Sequence, residues 1–365
     1  MKLSPSVAEA YSKDNLPAAQ AQRLARFIAF GPVVFQVSRL MLRFGILQIL
    51  RENPEGLTTE EVASQCGIPV YAARVLMEAS ISIGTLKVEE STSRYRLSKT
   101  GWFLLTDQAA NVDMDFNHYV NYQGMYRLEE SLLEGRPAGL ESFGNWETIY
   151  PGLSSLPDDA RRSWFAFDHF YSDQSFDQAL ETVFSFRPGK ILDVGGNTGK
   201  WARKCVEYDP GVTVTIADLP EQIALMKQET AGKPGAERIS GYPVNVLEPD
   251  SEFPKGEHFD IIWMSQFLDC FSEEQILLIL SKAAAIMDGG TRLCIMETFW
   301  DRQKFETAAM CLTLTSLYFS ALANGCSRMY QATDMERLVR QSGLEIEEIR
   351  DNMGLGHSIM TIKKA

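Results

Sequence analysis

The sequence predicts an α/β protein in which a seven-stranded, mostly parallel sheet with crossover helices follows an α-helical unit that closes in a small hairpin. Three observations carry this reading. From Lys190 onward, short β-branched runs alternate with helical segments, which is the rhythm of parallel strands joined by crossover helices. The run Lys190–Val194 passes straight into Gly195, Gly196, Asn197, Thr198 and Gly199 and then a helix, a glycine-rich turn from strand to helix. Ahead of Lys190 the apolar residues recur at helical spacing, with one pair of β-like runs, Leu86–Glu89 and Arg94–Leu97, parted by a polar turn.

Taken in order, the apolar positions between Leu24 and Leu50 predict two helices broken near Gly31 and Pro32, the second carrying Val34, Val37, Leu40, Met41, Phe44 and Ile46. Thr58, followed by Glu60 and Glu61, caps a short helix that Gly67 and Pro69 end. A third helix covers Val70–Ile83, and Gly84 separates it from the hairpin; helices, turn and hairpin in this order make a winged helix. Residues 107–185 read as helical and rich in aromatics, broken between Pro151 and Pro157. Strands are expected at Lys190–Val194, Thr213–Ala217, Ser240–Val244, Phe259–Met264 and Arg292–Glu297. Two more, Leu344–Arg350 and His357–Lys363, pair as a terminal antiparallel hairpin around Asn352 to Gly356.

Composition limits the partners. The net charge of −13 opposes a phosphate backbone, and the third helix offers only Arg74 as a positive charge, so no nucleic-acid partner is expected. The winged helix then reads as a packing or dimerisation module rather than a DNA reader. Cys66, Cys205, Cys270, Cys294, Cys311 and Cys326 form no CxxC pair and no metal-ligand spacing, which indicates reduced thiols and no metal. Met1 to Asn15 lack an apolar signal core, and Cys311 to Cys326 is shorter than the roughly 20 residues that cross a bilayer. That segment is expected as a buried helix, and the chain as a cytoplasmic protein without membrane contact.

The chemistry concentrates on the glycine turn. Strand, glycine loop, helix, second strand and an acid, Asp218, nineteen residues after Gly199, are in register for a Rossmann-like cofactor site, where Asp218 accepts hydrogen bonds from both ribose hydroxyls. Asp193, just ahead of the loop, suits a cofactor with an amino-acid ammonium and would repel a pyrophosphate. S-adenosylmethionine is therefore favoured over a dinucleotide, which remains the alternative.

With these residues in place, the chain resembles the class I S-adenosylmethionine-dependent methyltransferases, and within them the small-molecule O-methyltransferases of the plant caffeate and bacterial polyketide type. Asp193–Gly199, DVGGNTG, is similar to that family's DVGGGTG loop, and IADLPEQI around Asp218 and Leu219 to its FDLPxVI segment. The resemblance implies a winged-helix dimerisation domain (1–106), a helical linker and substrate-pocket region (107–185) and a seven-stranded catalytic domain (186–365), assembled as a homodimer through the first. It implies that Asp193, Gly195, Gly196, Asn197, Gly199, Asp218, Leu219, Asn245, Val246 and Ser265 hold the cofactor. Asn245 and Val246 stand where the family's GDMF-like segment has an acid, and Ser265 where it has a lysine.

The departures fall on the catalytic positions. MSQFLDCFSEE, Met264 to Glu274, aligns without gaps to the family's LKNVLHDWSDE, so its catalytic histidine becomes Asp269. Glu297 matches an acid that the family uses beside that histidine, and Ser327 replaces the acid of its GKERT-like run. His169, in a segment similar to the family's FNxAM, is the substitute base, with Phe167, Tyr171, Met310 and Leu314 as pocket walls. Asp269 reads either as base or amine anchor, or as a loop carboxylate that caps the following helix; Ser272 to Gln275 reads as a capping box that leaves Glu273 and Glu274 no chemistry. The expected function is methyl transfer to a small aromatic or lipophilic acceptor. A non-catalytic module binding S-adenosylmethionine or its product, and a ligand-responsive regulator, are the alternatives.

Overall fold

The computed structural model describes residues 2–365, in two compact units: residues 14–119, and residues 120–365 together with the segment that ends at Lys13.

In the first unit, helices Ala18–Ala29, Gly31–Arg43, Ile46–Glu52, Thr59–Cys66 and Val70–Ile83 precede the antiparallel pair β1 (Leu86–Glu89) and β2 (Arg94–Leu97). Helices Lys99–Thr106 and Gln108–Phe116 follow. Met41, Ile46, Leu47, Val62, Ala73, Met77 and Leu86 are fully buried and form its core. Thr58 caps its helix as expected and makes a full capping box with Glu61, whose carboxylate also pairs with Arg94 of the hairpin at 3.1 Å. The stretch from Leu24 to Leu50 breaks twice rather than once. Gly45, at φ +73°, ends the second helix and turns the chain so that Ile46, Leu47 and Leu50 enter the core from a separate helix. The helix Ala18–Ala29 buries no residue, and it leaves Leu24, Phe27 and Ile28 exposed.

The second unit is built on β3 (Lys190–Val194), β4 (Thr213–Asp218), β5 (Ile239–Pro243), β6 (Ile261–Ser265), β7 (Arg292–Glu297), β8 (Leu344–Met353) and β9 (His357–Lys364). Their order is β5-β4-β3-β6-β7-β9-β8; the first five are parallel and β9 lies antiparallel to both β7 and β8. Ile261 to Met264 are buried along their whole length because helices cover both faces of the sheet. On one face Trp201, from the helix after the glycine loop, stacks on Trp263 of β6 with ring centroids 4.4 Å apart.

The segment before the first unit belongs with this sheet. The Ser4 amide donates to the Asp301 carbonyl at 2.8 Å, and Val7 is fully buried. Residues 120–185 pack here too, through helices Asp158–Ser172 and Phe176–Phe184. Cys311 to Cys326 is not a uniformly buried helix: Glu306–Tyr318 is α-helical, Phe319–Ala323 is a π turn, and only Ala309 and Tyr318 of the α-helical part are buried. No single helix among the described residues is long and apolar enough to cross a membrane.

Candidate active site

Between β3 and β6 the strand order reverses direction, which opens a crevice outside the carboxyl ends of the strands. The glycine loop stands there. Gly195 has φ +77°, and a Cβ on it would overlap the Phe267 ring; at Gly196 a Cβ would lie 2.5 Å from Asp193 Oδ2. Glycine is required at both places, at the first by backbone conformation and at both by space. Asn197 is also left-handed, φ +48°, and its amide donates to Asp218 Oδ2 at 2.9 Å, while Leu219 N donates to Oδ1 at 2.7 Å. Asp218 thus ties the loop to the end of β4.

Asp193 is 3% exposed and its Oδ2 has no partner; burial, then the neighbouring charge of Asp218, push its carboxyl up to about 8. Gln266, at φ +45° just after β6, has a buried Oε1 without a partner as well. Two orphaned polar atoms beside a loop without room for side chains fit a polar, cation-bearing cofactor. Val246 is buried after β5, whereas the Asn245 side chain braces its own turn through the Leu247 amide and Glu248. Ser265, half-buried, ends β6.

The second feature is a group of buried acids at the ends of β6 and β7. Glu297, 3% exposed, accepts from the amides of Phe267 at 3.0 Å and Leu268 at 2.8 Å through Oε1, and its Oε2 has no partner. Asp269 is 8% exposed; burial raises its carboxyl to about 6. Burial and then the Asp269 charge hold Glu297 well above the usual carboxylate range. Near neutral pH Asp269 therefore carries the charge and Glu297 the proton. Asp269 is not the helix cap: Ser272 accepts from the Gln275 amide and Gln275 returns the bond. Glu273 instead pairs with Arg328 and Arg337, a purely structural task.

A dimerisation2-like domain matches residues 22–95, and a methyltransferase domain matches residues 167–349, just over half the chain. The chain belongs to the S-adenosylmethionine-dependent methyltransferases. The L-tyrosine C(3)-methyltransferase of Streptomyces lavendulae is 24% identical over 325 residues, 88% of this methyltransferase and 86% of that one. The human acetylserotonin O-methyltransferase is 26% identical over 216 residues, 57% of this chain and 62% of its own. Among solved structures, the apo form of the S-adenosylmethionine-dependent methyltransferase SibL superposes with a TM-score of 0.70 at 22% identity, covering 93% of this chain and 98% of that one. At that identity the likeness speaks for the fold.

The methyltransferase does not gather every expected residue at Asp269. His169 stacks on Phe165 with ring centroids 5.9 Å apart; burial lowers its basicity, and the acids near it are Asp168, whose Oδ2 lies 3.7 Å from its Nδ1, and Asp173, not Asp269. Met310 and Leu314 are 41% and 60% exposed, turned away from the packed side of their helix. Phe167 and Tyr171 meet edge to face at 5.1 Å. Three residues without an expected role, and Tyr318 of the helix expected to wall the pocket, do feel the Asp269 charge. Asp168 is pushed up to about 7 by burial and then by the charge of Asp269, and Tyr150, Cys270 and Tyr318 are all raised by burial with Asp269 among the further causes. Trp164 Nε1 donates to Tyr318 Oη at 2.7 Å, which fixes the facing side of helix Asp158–Ser172. Trp164, Asp168 and Tyr171 lie at i, i+4 and i+7 along that side, whereas His169 is one residue, about 100°, further round. That spacing was the available signal.

Proposed function

We propose that this methyltransferase transfers a methyl group to the hydroxyl oxygen of a small phenolic acceptor, with Asp269 as the base. One observation supports it above the others: the Asp269 carboxylate, raised to about 6, stands just after β6 at the carboxyl ends of the strands, among buried tyrosines and a neutral glutamic acid. An ordinary aspartate near 3.9 would be about 6 units below a phenol near 10; at about 6 the gap shrinks to about 4 units, or roughly 5 kcal/mol for complete transfer. Positioning of the reacting atoms covers a term of that size.

S-adenosylmethionine, when bound, supplies an electrophilic methyl group. In this reading Asp193 and the Ser265 end of β6 hold its amino-acid part, Asp218 and the Leu219 backbone its ribose, and Asn245 with Val246 its base. Gly195, Gly196, Asn197 and Gly199 let the backbone approach. Glu297 anchors the loop that carries Asp269, so the base is placed by two amide hydrogen bonds rather than by its own rotamer. Asp269 takes the phenolic proton as the oxygen attacks, and Asp168 with Trp164, Tyr318, Phe167 and Tyr171 walls the acceptor. The dimerisation2-like domain supports a homodimer.

A second reading is methylation at the ring carbon beside the phenol. It is favoured by the relative that aligns over 88% of the chain, which is named for C(3) of L-tyrosine. Both readings need the same deprotonation and differ in which atom faces the methyl group. Incubation with S-adenosylmethionine and a panel containing L-tyrosine, tyramine and simple catechols, read by mass and proton NMR, tests both: an O-methyl signal supports the first, an aryl-methyl signal the second. Tight cofactor binding with no methylated phenol in the panel would overturn both readings.

A further inference from the structure

We propose that Arg39, with Arg43 at its rim, forms a site in the first unit for the carboxylate of a small organic anion. A cavity of about 350 Å³ opens there, lined by these two arginines, Asp115 and Tyr119, with Leu42 and Met114 as apolar wall. Arg39 is only 7% exposed. Its Nη2 donates to Tyr119 Oη at 2.8 Å and its guanidinium carbon lies 5.1 Å from the centre of the Tyr119 ring, but its Nε is buried without a partner. Among the described residues no carboxylate comes within 4.0 Å of Arg39 or Arg43, Asp115 included.

A guanidinium withdrawn from water is ordinarily matched by a carboxylate, because an uncompensated buried charge is costly. Here the fold supplies a phenol and an aromatic face but no carboxylate, and the guanidinium lines a cavity with Arg43 beside it. A carboxylate in the cavity is the natural partner for such a guanidinium, through a charge-assisted hydrogen bond and the charge of Arg43. Asp115 on the same wall disfavours a dianion such as phosphate, and Leu42 and Met114 offer contact to an apolar body. The volume is at the lower end of small-molecule sites, about 300 to 1,000 Å³, so the ligand has the size of a benzoate. The same carboxylate chemistry has a second source, an Asp or Glu side chain of another copy of this chain; the apolar wall of Leu42 and Met114 favours the free anion.

The test titrates the full-length protein, saturated with S-adenosylhomocysteine, with benzoate and with benzamide by calorimetry, and follows sedimentation with and without benzoate. Expected are one benzoate per chain, benzamide at least about tenfold weaker, a loss of at least about tenfold in Arg39→Gln, and a loss of about threefold in Arg43→Gln at the exposed rim. Asp269→Asn, in the other unit, leaves the benzoate affinity unchanged. Equal affinity for benzamide, or benzoate binding that survives Arg39→Gln, overturns the proposal. If melting shows that Arg39→Gln does not fold, Arg43→Gln decides, and unchanged affinity there overturns it. Benzoate that dissociates the oligomer places a side chain of a second copy in the cavity and equally overturns the free-ligand assignment.

Discussion

Replacing Glu297 by alanine and by glutamine separates two tasks held by one side chain. Its Oε1 accepts from the Phe267 and Leu268 amides, the second of them fully buried, and alanine leaves both without an acceptor. At about 1–3 kcal/mol for each unsatisfied buried amide, Glu297→Ala should cost about 2–6 kcal/mol of stability. Glutamine keeps a carbonyl oxygen in the same place. Since burial and the Asp269 charge already hold Glu297 in its neutral form near pH 7, Glu297→Gln removes no charge and should cost no more than about 1 kcal/mol. Urea unfolding at pH 7 of the three proteins without cofactor gives the comparison. If glutamine destabilises as much as alanine, Glu297 is ionised in the native state and the division of charge between it and Asp269 is wrong. If alanine is harmless, the loop carrying Asp269 is not held by this carboxyl.

Asp193 gives a pH signature. Its folded carboxyl, pushed up to about 8, binds a proton that the unfolded chain has already released above its ordinary value of 3.8, so native stability should fall as pH rises from about 4 to 8. Asp193→Asn should flatten that fall between pH 6.5 and 8, where His357, lowered to about 4 by burial, no longer contributes its opposite slope; an unchanged slope would refute the assignment. Asp218→Ala should weaken S-adenosylhomocysteine by about 100-fold in calorimetry, as two hydrogen bonds to a charged acceptor are lost, and binding within threefold of the parent would remove Asp218 from the cofactor site. Gly196→Ala, whose methyl group would press on Asp193 Oδ2, should abolish cofactor binding while the protein still melts cooperatively. Ile28→Asp, on the exposed apolar face of helix Ala18–Ala29, should yield monomers in sedimentation, and an intact dimer would move the interface elsewhere.

What was legible in the sequence was what depends on local order. The β-branched runs gave the strands to within two residues at most boundaries, whereas the hydrogen bond from the Asn197 amide to Asp218 was not foreseen, since the spacing pointed only to a ribose contact for that acid. The capping box at Ser272 was readable because its partners are three residues apart. What was not legible came from residues far apart in the chain. Tyr150, Asp168 and Tyr318 come from three segments distant from Asp269 in the chain, and only packing shows that each senses it. Burial in turn decides the protonation of Asp193 and Glu297, which reference values alone place in the wrong state, and brings Asp269 closer to a phenol in basicity. The docking of Ser4 and Val7 against the sheet unit has no local signature at all.

The Trp201–Trp263 stack has an optical consequence. Trp263 sits beside Asp193 in the strand register, and both indole N–H groups are buried without an acceptor. Two coupled chromophores in dry surroundings emit at short wavelength, and a carboxyl one strand away changes their field when it loses its proton. Ligand capture at the glycine loop should therefore register as a shift and a change in intensity of intrinsic emission, with no label attached. Trp201→Phe and Trp263→Phe would assign the signal to this pair against the background of the remaining four tryptophans.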